Sequence, residues 1–355
     1  MRSKRAEKQL FTVKWKSNSV VMIDQTKLPR KLVYVKYTKY KQVAKAIEKL
    51  IVRGAPAIGV AAAYGLSLAA IESKAKTKEG LMHDLEIAYR RLKSTRPTAV
   101  NLIWALDLIM NKARKIDTVR DIKRVVLESS MKIAEDDIEN NKKLGSNGSN
   151  IISDNDVILT HCNAGSLATV SYGTALGIIR SASEKGKKIK VIATETRPVM
   201  QGSRLTAFEL DHSGIDVSLI PDTAVGYLMS SGLIKVVIVG ADRVLKTGHV
   251  FNKIGTYQVA VLANRHKIPF YVAAPISTFD MNSTVDDIVI EHRNKSEVTH
   301  IGNKLISPKN VNVYNPAFDI TPPELITGIV TERRIIHPPY MENIAKNLPA
   351  VRQSI

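Results

Sequence analysis

At 355 residues and 44% hydrophobic content, the chain is long enough for two domains with buried cores, and its few aromatics (5%) leave packing to Ile, Val, Leu and Ala. A formal charge of +19 favours acidic ligands such as phosphates, yet no block of like charges or basic segment interleaved with aromatics marks a nucleic-acid arm, so nucleic acid is not an expected partner. Cys162 is the only cysteine, which excludes an intramolecular disulfide framework and fits a reducing, cytoplasmic compartment.

Along the chain, the N-terminus lacks the apolar core of a secretory signal. A strand-like opening at residues 32–37 precedes helical patterns at 40–52, 55–71, 81–92 and 100–113. The second of these is uncharged and rich in Ala and Gly, with Pro56 near its start; it reads as a buried helix with proline in its first turn, not as a bilayer span. Thr118-Val-Arg-Asp121 offers a capping box to a long helix that stops at Gly145, and Ser146-Asn-Gly-Ser-Asn150 then reads as a linker. Beyond it, Val- and Ile-rich runs at 157–160, 190–193, 217–220, 236–239, 270–273 and 327–331 alternate with helical stretches, the pattern of a doubly wound parallel sheet. The expected fold is α/β: a mainly helical N-terminal domain with short strands over residues 1–145, then a Rossmann-like α/β catalytic domain over residues 146–355.

In open α/β sheets, ligands bind beyond the carboxyl ends of the strands. His161-Cys-Asn-Ala-Gly165, Glu195-Thr-Arg-Pro198, Pro221-Asp222 and Gly240-Ala-Asp-Arg243 all follow such ends, so Cys162 and Asp242 should share one edge of one sheet. The segment after Cys162 reads as the start of a helix, whose amides favour anions and activate a thiol; a lone cysteine also commonly fills a core as a small hydrophobe. Asp242 sits at the rim of an apolar run, which favours the neutral carboxyl and suits a general acid, although a salt bridge to Arg243 or a helix cap would equally account for it.

Arg53-Gly-Ala-Pro56 would leave amides near Gly54 and Ala55 open beside a cation, an anion site, and Arg96 with Asn101 opens another helix in the same way. Asn252 and Lys253 read as part of a glycine-containing turn that opens a helix, where the lysine would act as a point charge on phosphate. Gln201 follows a strand end and would hydrogen-bond a sugar hydroxyl. Ordinary readings of these residues, as solvated or loop side chains, stay open on spacing alone. Neither a His-Glu-x-x-His helix nor a Cys-x-x-Cys pair occurs, and there is no phosphate-binding Gly-Lys-Ser/Thr loop or Gly-x-Gly-x-x-Gly, so neither metal nor nucleotide cofactor is expected.

Several motifs together resemble the methylthioribose-1-phosphate isomerase family: Arg53-Gly-Ala-Pro-Ala-Ile-Gly59, Arg96-Pro-Thr-Ala-Val-Asn101, His161-Cys-Asn-Ala-Gly165, Arg197-Pro-Val-Met-Gln-Gly202, Arg204-Leu-Thr-Ala-Phe-Glu209, Gly240-Ala-Asp-Arg243 and Asn252-Lys-Ile-Gly-Thr-Tyr257. Met22-Ile-Asp-Gln-Thr-Lys-Leu-Pro29 resembles that family's own N-terminal signature. The resemblance implies an aldose–ketose isomerase of methionine salvage that converts 5-methylthioribose 1-phosphate to 5-methylthioribulose 1-phosphate, without a cofactor and as a homodimer. It implies Asp242 and Cys162 as the catalytic pair, with Arg53, Gly54, Ala55, Arg96, Gln201, Asn252 and Lys253 holding the sugar phosphate. The same superfamily contains ribose-1,5-bisphosphate isomerase, which would need a second cationic cluster. It also contains regulatory subunits of a translation initiation exchange factor, which would not be expected to keep both Cys162 and Asp242.

Overall fold

The computed structural model describes residues 9–96 and 99–348. Among these, residues 9–143 together with Ala164–Gly177 form one compact unit, and Leu144–Asn163 together with Ile178–Leu348 form a second.

The first unit opens with an antiparallel sheet of β1 (Val13–Trp15), β2 (Val20–Ile23) and β3 (Tyr34–Tyr37), in that order. Helices α1 (Tyr40–Glu48), α2 (Ala55–Glu72), α3 (Lys78–Lys93) and α4 (Val100–Arg114) follow, close to the expected positions. Helix α2 is long and apolar enough to cross a bilayer, but it is buried from Ala57 to Ala70 and is the core helix of this unit. Its glycines admit neighbouring helices: a Cβ on Gly59 would lie 2.9 Å from the carbonyl oxygen of Asn101 in the first turn of α4.

Thr118 caps α5 (Val119–Gly148) with half of the expected box: the Asp121 amide donates to Thr118 Oγ1 at 3.1 Å, while Asp121 Oδ2 accepts the Thr118 hydroxyl at 2.7 Å. The linker expected at Ser146–Asn150 is not a loop. Helix α5 runs on to Gly148 and passes into a 3₁₀ turn, Ser149–Ile151. Gly148 is there for proximity: a Cβ would meet Ile178 Cδ1 at 2.5 Å. Asn147 Nδ2 is used by the Thr331 carbonyl and Ser149 Oγ by Lys185 Nζ, so residues that read as breakers make tertiary contacts instead.

In chain order, the next elements are β4 (Val157–Thr160), α6 (Ala175–Glu184), β5 (Lys190–Thr194), α7 (Ala207–His212), β6 (Asp216–Ile220), α8 (Val225–Ser230) and β7 (Val236–Gly240). Then come β8 (Arg243–Leu245), β9 (Val250–Lys253), α9 (Thr256–Arg265), β10 (Phe270–Ala273), β11 (Phe279–Asp280) and α10 (Ser296–Thr299). The chain closes with β12 (His300–Ile301), β13 (Lys304–Leu305), β14 (Phe318–Thr321), β15 (Gly328–Val330), β16 (Ile335–Ile336) and α11 (Tyr340–Asn347).

All six expected strands lie in one seven-stranded sheet of order β16-β15-β10-β7-β4-β5-β6, parallel except at the β16 edge. Strand β7 is buried at every position, and Leu159, Ile192, Val237, Val239, Phe270, Val272 and Ile329 lie in this unit's core. The chain enters the sheet at β4, builds outward through β5 and β6, and returns to the other side of β4 with β7. The strand order therefore reverses between β4 and β7, where open α/β sheets bind their ligands. A second, four-stranded sheet of order β11-β8-β9-β14 stands beyond β7; it has no counterpart among the expected elements.

One expected helix moves. Cys162 is not followed by an α-helix: a 3₁₀ turn at Ser166–Ala168 comes first, and α6 begins only at Ala175. The intervening segment belongs to the first unit, where Thr12, Gln25 and Asp137 hold its backbone: Thr12 Oγ1 and Gln25 Nε2 donate to the carbonyls of Ser166 and Leu167, and the Val170 amide donates to Asp137.

Candidate functional site

In the second unit, Cys162 stands two residues past β4 and Asp242 two residues past β7, on either side of the reversal point. The pairing of Leu159 with Val237 sets the register of these two strands, so both residues leave the sheet at the same edge. Cys162 is buried, 6% exposed, with a positive φ of 66° that a non-glycine residue adopts only under constraint. The constraint is visible on both sides of the residue. Its amide donates to Thr196 Oγ1 at 2.9 Å, and its carbonyl accepts from Thr206 Oγ1 at 2.6 Å. Asn163 is fixed in turn, its Nδ2 donating to Glu209 Oε1 at 2.8 Å.

Asp242 is half-buried where β7 passes into β8, and its amide donates to the Phe251 carbonyl at 2.9 Å. That bond places it beside Asn252 and Lys253, which are the last two residues of β9 rather than part of a turn. Arg243 Nη1 pairs with Asp280 Oδ2 at 3.0 Å. Asn252 is buried, with its Nδ2 donating to Thr256 Oγ1 at 3.0 Å. Lys253 Nζ donates to the Ala317 carbonyl at 2.8 Å and lies 4.4 Å from the centre of the Phe318 ring.

The loop after β5 brings in Gln201. Asp222, just past β6, accepts the amides of Thr196 and Arg197 at 2.8 and 2.7 Å, fixing the start of that loop. Gly202 is required there, since a Cβ would fall 1.7 Å from the Thr194 carbonyl oxygen. Gln201 is 5% exposed, and its Oε1 has no hydrogen-bond partner among the described residues. A buried acceptor without a donor costs about 1–3 kcal/mol, and a ligand hydroxyl would offset that cost.

The first unit carries the remaining candidates. Gly54, with φ of 93°, is the N-cap of α2 and has no side-chain cap; Ala55 and Pro56 begin the helix, and the first turn has no acidic residue. A Cβ on Gly54 would lie 2.3 Å from the Ala168 backbone, so only glycine fits. Arg53 immediately precedes this N-terminus, and Arg96 precedes that of α4; both are half-buried. Of the Arg96 motif, Pro97 and Thr98 lie outside the described residues. Two cations and an uncapped helix start are chemistry suited to phosphate.

Spacing alone does not single out His161, Thr196 and Asp319. His161 is buried at 2% exposure, its Nε2 2.9 Å from the Ile254 carbonyl and its Nδ1 2.7 Å from Thr194 Oγ1. Because a carbonyl only accepts, Nε2 carries the proton, and burial holds the imidazole below its ordinary pKa and neutral. The signal for His161 is its place beside Cys162 in a strand-end motif. Asp319 gives no signal, since the strand that carries it is not legible.

Known proteins share this arrangement of sequence. The Initiation factor 2 subunit family matches residues 51–338. The methylthioribose-1-phosphate isomerase of Carboxydothermus hydrogenoformans is 54% identical over 338 residues, 94% of this chain and 98% of that protein. The crystal structure of 5-methylthioribose 1-phosphate isomerase from Pyrococcus horikoshii superposes with a TM-score of 0.89 at 46% identity, covering 96% of each chain. A crystal structure described as translation initiation factor eIF-2B, subunit delta, from A. fulgidus is 50% identical with a TM-score of 0.86, covering 95% of this chain and 98% of that one.

Proposed function

The chain belongs to the methylthioribose-1-phosphate isomerases within the Initiation factor 2 subunit family, and on that premise we propose how its residues divide the reaction. It is an aldose–ketose isomerase that converts 5-methylthioribose 1-phosphate to 5-methylthioribulose 1-phosphate.

Phosphate on the anomeric oxygen prevents simple ring opening, so the ring oxygen must gain a proton as its bond to C1 breaks. Asp242, in its protonated form, gives that proton. One hydrogen then moves from C2 to C1 while the C2 hydroxyl loses its proton, which restores the one spent on the ring oxygen and leaves a ketone at C2. Cys162, buried past the end of the neighbouring strand β4, stabilises the transition state. Gln201 accepts a sugar hydroxyl, and Asn252 and Lys253 hold the substrate beside Asp242. Considered by itself, the first unit offers Arg53, the amides at Gly54 and Ala55, and Arg96 as groups of the kind that bind phosphate. The observation that carries this reading is the placement of Cys162 and Asp242 at the two strand ends that flank the reversal of strand order.

The reaction belongs to methionine salvage, and the chain works as a cytoplasmic homodimer. The lone thiol supports a reducing compartment, and exposed Tyr227, Tyr257 and Val261 on α8 and α9 supply apolar surface for a second copy.

Following ketose formation from 5-methylthioribose 1-phosphate by purified protein tests the division of roles. Asp242→Asn should lower kcat about a hundredfold or more, and undiminished turnover would remove it as the acid. Turnover of ribose 1,5-bisphosphate alone would move the chain to that neighbouring activity.

A further inference from the structure

A single line of hydrogen bonds links the ends of β4, β5 and β9 in the second unit, and its outermost bonds have a fixed direction. At one end the Cys162 amide can only donate, and it does so to Thr196 Oγ1 at 2.9 Å. At the other, the Ile254 carbonyl can only accept, and it takes the His161 Nε2 proton at 2.9 Å. Between them Thr196 Oγ1 lies 3.2 Å from Thr194 Oγ1, which lies 2.7 Å from His161 Nδ1. Because Nε2 carries the proton, Nδ1 accepts from the Thr194 hydroxyl; the Thr196 hydroxyl faces both Thr194 Oγ1 at 3.2 Å and the Thr194 carbonyl at 3.3 Å. All four residues named in that line besides Ile254 are at most 6% exposed, so water does not replace a lost link.

We propose that His161 is a positioning residue that holds Cys162 and the Asn252–Lys253 strand end in register with one another. Ile254 directly follows Lys253, so the bond to its carbonyl anchors the end of β9, while the same ring orders Thr194, whose hydroxyl lies against Thr196, the residue that takes the Cys162 amide. Gly255 completes the fit: a Cβ there would lie 3.0 Å from His161 Cε1, so the turn closes directly on the imidazole edge. The ring makes no contact with substrate in this account; it acts through the groups on either side. The inference rests on the reading that Cys162, Asn252 and Lys253 serve the isomerisation.

His161→Gln and His161→Leu test it, since glutamine keeps a donor and an acceptor on neighbouring atoms whereas leucine only fills the space. His161→Leu should raise KM about tenfold and lower kcat comparably, the size expected for two lost buried links, and His161→Gln should restore both to within about threefold of wild type. Leucine that leaves KM and kcat within about twofold, or glutamine as impaired as leucine, overturns the proposal. Should the leucine variant fail to fold, Thr194→Val removes only the hydroxyl at Nδ1. The rate at which iodoacetamide alkylates Cys162, the sole cysteine, should then change by about threefold or more, and an unchanged rate overturns the proposal. Cys162→Ser separates the two readings: full activity in that variant removes Cys162 from the reaction, whereas the alkylation result reports on His161 without any turnover.

Discussion

Asp319 accepts the Gly255 amide at 2.6 Å and the Tyr257 amide at 3.1 Å, so a carboxylate 64 residues away in sequence caps α9. The helix has no side-chain cap of its own, and its N-cap glycine has a φ of 100°. Strand β14 places the aspartate there by pairing antiparallel with β9, which sets Asp319 opposite Asn252 and Phe318 opposite Lys253. One short strand thus braces the end of β9 and the helix that follows it.

The cap has a pH dependence. Burial pushes the Asp319 carboxyl up to about 6, and the two donated amides only partly offset that. The folded value lies above the ordinary 3.8, so the folded chain binds this proton more tightly than the unfolded one. The resulting stabilisation is full below about pH 4 and is lost as pH rises through about 6. Asp319→Asn cannot ionise, and urea unfolding across this window should show a flatter pH dependence than wild type. Equal slopes in the two proteins would contradict the assignment.

Asp137 behaves in the same sense in the first unit. Burial pushes it up to about 7, against the pull of the Val170 amide and of Asn141. Its stabilising contribution is therefore present at acid pH and disappears between about 4 and about 7. Asp137→Leu removes the titration and leaves the Val170 amide unpaired, a cost of about 1–3 kcal/mol. Hydrogen exchange at Val170 should accelerate in that variant; an unchanged rate would mean that Asp137 does not hold the segment.

Gly54 makes a sharper demand. With φ at 93° and the Ala168 backbone 2.3 Å from a would-be Cβ, alanine must shift either α2 or the Ala164–Gly177 segment. Gly54→Ala should cost about 3 kcal/mol or more in unfolding free energy, well above the usual surface substitution. Gly186, also at positive φ but with open space around it, provides the comparison: its alanine variant should lose about 1 kcal/mol. Similar losses at the two sites would mean that the backbone contact is not rigid.

The parallel sheet is legible in the sequence because its inner strands are short apolar runs, rich in Val and Ile at β4, β5 and β7, and β7 is buried throughout. Strand-end placement of Cys162 and Asp242 follows from that pattern alone. The four-stranded sheet is not legible: Arg-Val-Leu in β8, Phe-Asp in β11 and Phe-Asp-Ile-Thr in β14 are too short and too mixed to carry a period. Its strands exist because they pair with one another, and Asp319 goes unnoticed for the same reason. Ser146–Asn150 fails in the opposite direction, since residues that punctuate a chain locally are held helical by Ile178, Thr331 and Lys185. The helix expected after Cys162 fails because the first unit claims that segment through Thr12, Gln25 and Asp137.

Gln201 separates stability from function. Its Oε1 is buried without a partner among the described residues, so the folded protein already bears the desolvation cost of that atom. Leucine is close to glutamine in size and removes the unsatisfied oxygen. Gln201→Leu should therefore unfold at a Tm equal to or above that of wild type, by up to about 1 kcal/mol in stability. On the proposed role the same change deprives a sugar hydroxyl of its acceptor, and KM for 5-methylthioribose 1-phosphate should rise about tenfold. Glutamate at this position keeps an acceptor but buries a charge, so Gln201→Glu should lose stability and repel the substrate phosphate. A leucine variant with both lower Tm and unchanged KM would show that the amide serves the packing of the loop after β5 and not the substrate.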